Sequence, residues 1–363
     1  MIRTLLFLAL AAFAMQASAE DDYALTTVAE GLEFPWGLAF LPDGGMLVTE
    51  RPGQLRRVAA DGSVSEPLAG VPAVFYQGQG GLLDIALHPE FATNALVYLS
   101  YAHGDGSANG TRVARGRLGD AGLETLEVIF TAQPSKDTPQ HYGGSMAFMN
   151  DGTLLLTTGD GFDHREQAQN LASMLGKTIR IDDDGSIPAD NPFVGREDAA
   201  DAVWTYGHRN PQGLVVDPAS GRVYQHEHGP RGGDELNLLR PGGNYGWPAA
   251  TYGKDYTGAH VSPFTTLPGM EQPLLHWTPS IAPSGLTIYG ADAFPEWQGD
   301  LFVGALVDQE VRRLRLQDGE VVAQEALFSD LGERIRNVKV GPDGHLYLVT
   351  DSAEGRILRV DRR

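Results

Sequence analysis

Cysteine is absent from the 363 residues, which excludes disulfides and thiolate-held metal centres and leaves the redox compartment open. Basic residues are few. The 27 Lys and Arg stand against 47 Asp and Glu, a formal net charge of -20. With no Lys/Arg stripe to offset it, that charge repels phosphate and argues against nucleic acid as a partner. Long apolar runs are missing too: beyond the N-terminus nothing approaches the roughly 18 residues of a membrane span. What remains is a chain whose 42% hydrophobic content supports a full-sized core and is unlike that of a disordered protein.

The N-terminus reads as an export signal rather than as a segment of the fold. Arg3 precedes an apolar run over residues 5–15, and Ala17, Ser18 and Ala19 form a small-residue ending. This is the layout of a secretory signal peptide cleaved after about Ala19. The expectation is a soluble periplasmic or secreted protein whose mature chain, residues 20–363, is a single domain.

Along the mature chain a single phrase recurs: an alternating apolar run, a Pro/Asp/Gly turn, a second run, then a third mixing basic and aliphatic residues. Gly37-Leu38-Ala39-Phe40-Leu41-Pro42-Asp43-Gly44 leads to Met46-Leu47-Val48-Thr49-Glu50, and near the C-terminus Val338-Lys339-Val340-Gly341-Pro342-Asp343-Gly344 leads to Leu346-Tyr347-Leu348-Val349-Thr350. Weaker copies start near Leu82, Ser145, Gly213 and Gly285. Period-two alternation broken by such turns marks short antiparallel strands joined by hairpins. Six copies at roughly blade length predict an all-β, six-bladed β-propeller of four-stranded antiparallel blades. A pair of β-sandwiches fits the regular phrase less well. Residues 23–28 also alternate and are expected to close the ring as an outer strand of the last blade. Segments 134–144, 161–176, 181–208 and 226–278 are long insertions, expected to carry function around the channel mouth.

Several residues in these segments can carry chemistry. His141 opens the third copy beside Gly143 and Gly144, as suits a general base at a channel; a satisfied core histidine is the alternative. Asp160, at the end of the following strand, can return to the same place and orient the imidazole, or simply form a turn. Arg209-Asn210 precede the fourth copy, and Arg334 and Arg336 occupy the same point of the sixth, aimed to one side by period two. Converging guanidiniums suit a carboxylate anion, unless local acids pair with them. In His226-Glu227-His228-Gly229-Pro230-Arg231-Gly232-Gly233-Asp234-Glu235 the two histidines lack a third ligand at recognisable spacing. The turn carbonyls with Asp234 and Glu235 suit Ca²⁺ better. Asp182-Asp183-Asp184-Gly185 lacks the later glutamate of an EF-hand and reads as a polar turn.

Taken together, Gln79-Gly80-Gly81-Leu82-Leu83-Asp84, His141 to Gly144 with Gly159-Asp160, Gly185-Ser186-Ile187-Pro188-Ala189-Asp190-Asn191-Pro192-Phe193, Gly207 to Gly213, Glu227 to Asn237, Gly243-Asn244-Tyr245-Gly246-Trp247-Pro248 and Arg334 to Arg336 resemble the soluble PQQ-dependent aldose sugar dehydrogenases, relatives of soluble quinoprotein glucose dehydrogenase. The resemblance spans essentially the whole mature chain and implies a six-bladed propeller with PQQ on the loop face of the channel. It implies His141 as the base for the anomeric hydroxyl, Asp160 as its partner and Gln79 as a neighbour of the reacting sugar. Arg209 and Asn210 would polarise the quinone oxygens, and Arg334 and Arg336 would clamp PQQ carboxylates. The carbonyls of Gly229 and Pro230 would hold a Ca²⁺ bridging to the cofactor, and Asp234, Glu235 and Tyr245 would contribute to a second calcium site. Two departures stand out. Val307 replaces a lysine that family members commonly place on the cofactor, and a long insertion of the glucose-specific branch is missing, which implies a broad range of mono- and oligosaccharides. The electron acceptor is not named by the sequence, and either a monomer or a dimer is compatible with it. The competing readings are a calcium-dependent propeller lactonase or hydrolase, and a non-catalytic carbohydrate-binding propeller.

Overall fold

The computed structural model describes residues 22–363, so the expected signal peptide lies outside the described residues. Six antiparallel sheets follow one another around a ring. The first blade comprises Pro35–Phe40, Met46–Glu50 and Gln54–Val58, and the second Leu82–Leu87, Leu96–Gly104, Asn109–Leu118 and Leu123–Thr131. Met146–Phe148, Leu154–Thr158, Lys177–Ile181 and Val203–Tyr206 make the third; Pro211–Val216, Val223–Glu227, Asp234–Leu239 and Leu275–Trp277 make the fourth. The fifth holds Pro283–Ile288, Leu301–Ala305, Val311–Gln317 and Glu320–Leu327. The sixth is built from Ile335–Val340, Leu346–Thr350 and Gly355–Arg362, with Tyr23–Leu32 as its outer strand. The repeated phrase thus marks the blades, and residues 23–28 close the ring as expected.

Five blades have four strands and the first has three. Its fourth position is taken by residues 63–68, which meet the third strand without a regular ladder: a Val58–Val64 bridge, main-chain bonds from Ser65 to Arg57 and from Leu68 to Leu55, and side-chain bonds from Arg56 Nε to Ser65 O and from Arg57 N–H to Ser65 Oγ. The stretch Ser63-Val64-Ser65-Glu66-Pro67 has too little apolar alternation and a proline, which cannot sustain a ladder.

Both faces of each blade are covered by its neighbours, so second strands are buried along their whole length, as in Leu154–Thr158 and Val223–Glu227. One buried apolar cluster fills each of the six blade interfaces; that between the fifth and sixth contains Tyr289, Phe294, Trp297 and Phe302. Side chains also stitch each blade to the main chain of the next. Thr49 donates to Leu83 O, Ser100 to Gly144 O, Ser145 to Gln212 O, Ser284 to Ile335 O and Asn337 to Trp36 O. Between the fourth and fifth blades His226 and His228 meet the carbonyls of Gly285 and Pro283. Burial pushes His226 down to about 4 and His228 to about 3, so both are neutral structural groups. Close approach at the inner strands requires glycine: a Cβ on Gly285 would sit 2.5 Å from Asn337 Cα.

One insertion falls elsewhere than expected. Thr158 pairs with Lys177 at one end of the third blade and Leu154 with Ile181 at the other. Residues 182–202 therefore leave from the end opposite His141 and Asp160, because successive antiparallel strands alternate their connections between the two faces. Residues 240–274 do return to the channel mouth: residues 244–247 run parallel to the last strand of the third blade, where Asn244 bridges Tyr206 and Trp247 N–H donates to Gly207 O.

Candidate active site

His141 and Asp160 lie at the same end of the hairpin that Met146–Phe148 forms with Leu154–Thr158. His141 Nδ1 is 2.7 Å from Asp160 Oδ1. The hairpin is crowded here. A Cβ on Gly159 would fall 2.2 Å from His141 O, and His141 itself has φ +52, a conformation a non-glycine residue holds only where its surroundings impose it. Asp160 is fixed from three sides. Its Oδ1 also accepts Phe162 N–H at 2.8 Å, and Oδ2 accepts Trp247 Nε1–H at 2.7 Å. A carboxylate so occupied only accepts, so the imidazole carries its proton on Nδ1 and presents a lone pair at Nε2. Among the described residues nothing hydrogen-bonds to that nitrogen. Burial pushes His141 below the ordinary histidine range; Asp160 opposes the shift, and Arg209 and Lys136 reinforce it. His141 N–H donates to Gln79 Oε1 at 2.8 Å, and the Phe162 ring meets the imidazole edge-on at 5.0 Å.

Arg209 is locked to this pair. Its carbonyl accepts Asp160 N–H, and its own N–H donates to Glu227. The guanidinium donates through Nη1 to Gly229 O at 2.8 Å and His228 O at 3.1 Å, and through Nη2 to the Tyr256 hydroxyl at 3.3 Å; it lies over the Trp247 ring. Asn210 Oδ1 accepts Gly143 N–H at 3.3 Å.

Beside these residues lies a cavity of about 280 Å³ lined by Gln79, Asn210, Arg334, Arg336, Asp351 and Arg51. Arg334 and Arg336 both reach Asp351 Oδ2, at 2.9 and 3.3 Å, so period two aims them together. Burial pushes the Arg336 pKa down, and Asp351 resists this. Burial would raise Asp351, but the two guanidiniums outweigh it and hold the carboxyl below the usual range. Arg336 Nε is buried without a partner. Val307 is exposed and lines both this cavity and an adjoining cleft of about 880 Å³ bordered by Pro230, Tyr252, Lys254 and Tyr256.

The residues expected to hold calcium divide. Gly229 and Pro230 line the outer cleft, and Gly229 O faces the Arg209 guanidinium. Asp234 Oδ1 accepts Gly229 N–H, and Oδ2 accepts the Ser280 hydroxyl and the Ile281 and Ala282 N–H groups, so this carboxylate shapes the 228–233 turn. The Tyr245 hydroxyl is held between Arg240 N–H and Leu238 O. Neither side chain is left over for a cation. Glu235 is less committed, accepting only Asn237 Nδ2–H at 3.5 Å among the described residues: it lies directly across the ladder from Glu227, burial and that like charge raise it well above the usual carboxyl range, and the neighbouring Asn237 Oδ1 is buried without a donor.

Trp247, which the sequence offered only as part of a longer phrase, and Arg51 are contributors to which the sequence assigned no role. Trp247 is separated from Asp160 by 87 residues. Arg51 follows the second strand of the first blade, where no local motif distinguishes it from a surface arginine.

A histidine oriented by a carboxylate beside a cation-lined cavity is an arrangement for moving a proton next to an anion, and residues 32–359 match the glucose/sorbosone dehydrogenase pattern. The chain belongs to that family. It is an oxidoreductase. It is 43% identical over 338 residues to the aldose sugar dehydrogenase YliI of Escherichia coli strain K12, covering 92% of this chain and 91% of that one. It is 28% identical over 421 residues to quinoprotein glucose dehydrogenase B of Acinetobacter calcoaceticus, covering 92% and 86%. Among solved structures it is similar to the PQQ-bound form of aldose sugar dehydrogenase from Streptomyces coelicolor, with a TM-score of 0.79, 31% identity and coverage of 94% of this chain and 99% of that one.

Proposed function

We propose that this glucose/sorbosone dehydrogenase uses PQQ and Ca²⁺ to oxidise aldose sugars at C1 to lactones, accepting mono- and oligosaccharides. The observation that carries the reading is His141, whose Nδ1 meets the Asp160 carboxylate at 2.7 Å while Nε2 is unengaged among the described residues, next to the arginine-lined cavity. That cavity fits the cofactor: PQQ is a planar polycarboxylate, and the buried, partnerless Arg336 Nε and the surplus of guanidiniums over carboxylates call for such an anion. Arg334, Arg336 and Asn210 would hold it, with Arg209 polarising its quinone oxygens. A cation fits at Glu235, where buried acceptors outnumber donors; a separate Ca²⁺ at the outer cleft would take the Pro230 carbonyl and the second lone pair of the Gly229 carbonyl, whose first is met by Arg209 Nη1.

Bound PQQ would supply the two-electron acceptor for the hydride leaving C1. The chain's own role is to handle the proton. His141 Nε2 takes it from the anomeric hydroxyl as the C1–O double bond forms, and Asp160 stabilises the imidazolium that results. Phe162 and Tyr256, stacked 6.3 Å apart and both exposed, offer a sugar ring apolar faces at the mouth of the site. Export to the periplasm belongs to the same proposal and is carried by Arg3, the 5–15 run and Ala17-Ser18-Ala19. A hydrolase reading has no use for the guanidiniums around the cavity.

The test is reconstitution of purified protein with Ca²⁺ and PQQ, a panel of aldoses and a dye acceptor, beside His141→Ala. Dye reduction that needs sugar and both additions, and collapses in the variant, is expected. PQQ binding without turnover of any aldose would overturn the substrate class, and absence of PQQ binding would overturn the cofactor.

A further inference from the structure

We propose that Arg51 is a third cationic contact for the cofactor's carboxylates, on the first-blade wall of the cavity; this rests on the PQQ reading above. Its backbone is pinned where the first and second blades meet: Arg51 N–H donates to Phe34 O, and Arg51 O accepts Leu82 N–H. The half-buried side chain lines the same cavity as Arg334 and Arg336. Unlike theirs, its guanidinium has no carboxylate and no hydrogen bond among the described residues, and its Nε is buried without a partner. The nearest acid in the chain, Glu50, is committed to Glu33 N–H and to Arg56.

What does touch Arg51 is aromatic. Its guanidinium carbon lies 5.3 Å from the Phe34 ring centre and 5.5 Å from that of Tyr76. Such contacts hold the planar group through its faces and leave the N–H edges, the donors that match a carboxylate, unspent. The charge balance agrees. Three guanidiniums and one carboxylate, Asp351, border the cavity, a surplus of two positive charges inside a chain of net charge -20. An unpaired, partly desolvated guanidinium is costly unless an anion meets it. Across the cavity Val307 contributes no charge. Arg51 therefore supplies from the first blade the cation that position 307 does not supply from the fifth.

The experiment titrates apo-protein in Ca²⁺ with PQQ, and separately with the redox-inert benzene-1,3,5-tricarboxylate, following heat or tryptophan fluorescence at two salt concentrations. Wild type is compared with Arg51→Gln, Arg51→Met, Arg51→Lys and Arg336→Gln, and melting of the unloaded proteins verifies folding. Arg51→Gln and Arg51→Met should weaken PQQ about tenfold and flatten the salt dependence, the scale of one charge-assisted hydrogen bond. Arg51→Lys should recover some of the loss. Methionine keeps the apolar stem against Phe34 and Tyr76, so it isolates charge if glutamine disturbs folding. PQQ binding by both neutral variants at wild-type Kd and salt slope, with Arg336→Gln impaired, would overturn the role of Arg51 alone. Failure of wild type itself to bind PQQ would remove the reading underneath and the proposal with it.

Discussion

Trp247 Nε1–H donates to Asp160 Oδ2 at 2.7 Å, while the other oxygen of the same carboxylate holds His141 Nδ1. The insertion of the fourth blade thus orients the base of the third. The Trp247 ring also lies under the Arg209 guanidinium, 5.4 Å away, so one side chain positions both the base and a cationic group beside it.

Replacing Trp247 by Phe keeps a ring beneath Arg209 and deletes only the N–H. The carboxylate of Asp160 then gains freedom and His141 loses its fixed orientation. The expected outcome is a fall in kcat of about tenfold with the Kd for PQQ nearly unchanged, on the scale of one charge-assisted hydrogen bond. A fall in PQQ affinity without a fall in kcat would place Trp247 in cofactor binding instead.

Asp160→Asn removes the charge that opposes desolvation of His141. The imidazole pKa should drop further, so the acid limb of the pH profile of kcat/KM moves to lower pH while its plateau falls by about 10²–10⁴-fold. In the unaltered enzyme that limb should itself fall below the ordinary histidine value of 6.5, since burial lowers the His141 pKa. The same depression makes a stability statement. A histidine whose folded pKa lies below its unfolded one contributes fully above pH 6.5, and that contribution is lost as pH falls toward the folded value. Rate measurements across pH 4–8 on both proteins decide the first point.

Gly159→Ala drives a methyl group onto His141 O, a contact of 2.2 Å to backbone that cannot swing away. Overpacking of this kind costs about 1–3 kcal/mol, read as a lower Tm. Activity should fall further than the loss of folded protein explains, because the group displaced carries the base. Wild-type kcat in the folded fraction would show that the hairpin end relaxes without moving His141.

Chelation of the reconstituted enzyme should lower both Tm and the PQQ-dependent rate. If Glu235 holds one of the ions, Glu235→Gln should be more stable than wild type in chelator and gain less on adding Ca²⁺, since it removes one of two facing buried carboxylates. An identical response of the two proteins to Ca²⁺ would take Glu235 out of the metal site.

Tyr23→Ala should destabilise the ring at its closure by about 3 kcal/mol. Tyr23 is buried against Trp297 at 4.7 Å and Phe294 at 5.6 Å, and its strand is the outer edge of the last blade. A melting curve close to that of wild type would show that the ladder from Tyr23 to Leu32 holds without this anchor.

Much of this protein was legible in its residues because the governing rules are local. Period-two alternation and Pro-Asp-Gly turns determine hairpins, and six hairpin phrases leave no better way to cover every sheet face than a ring. His141 and Asp160 could be placed together for the same reason: they are the two ends of one hairpin. The absence of a regular fourth strand in the first blade was less visible, because residues 63–68 are decided by what packs beside them rather than by their own pattern.

The rest depended on the tertiary structure. Which face residues 182–202 occupy follows from strand register, and a shift of connection by one strand exchanges the two ends of a blade. That Asp234 and Tyr245 spend their side chains on groups about 3 Å away, while Glu235 has only the longer contact from Asn237, is a matter of spatial neighbours that no spacing encodes. Trp247 reaches Asp160, and Arg51 meets Arg334 and Arg336 around one cavity, only because the ring closes and brings distant chain segments together. The sequence by itself determined the blades, the order of the residues that carry chemistry and the charge they bring. Which of those residues face one another was decided by the closed ring, since side-chain contact depends on distance in space and a linear pattern specifies only distance along the chain.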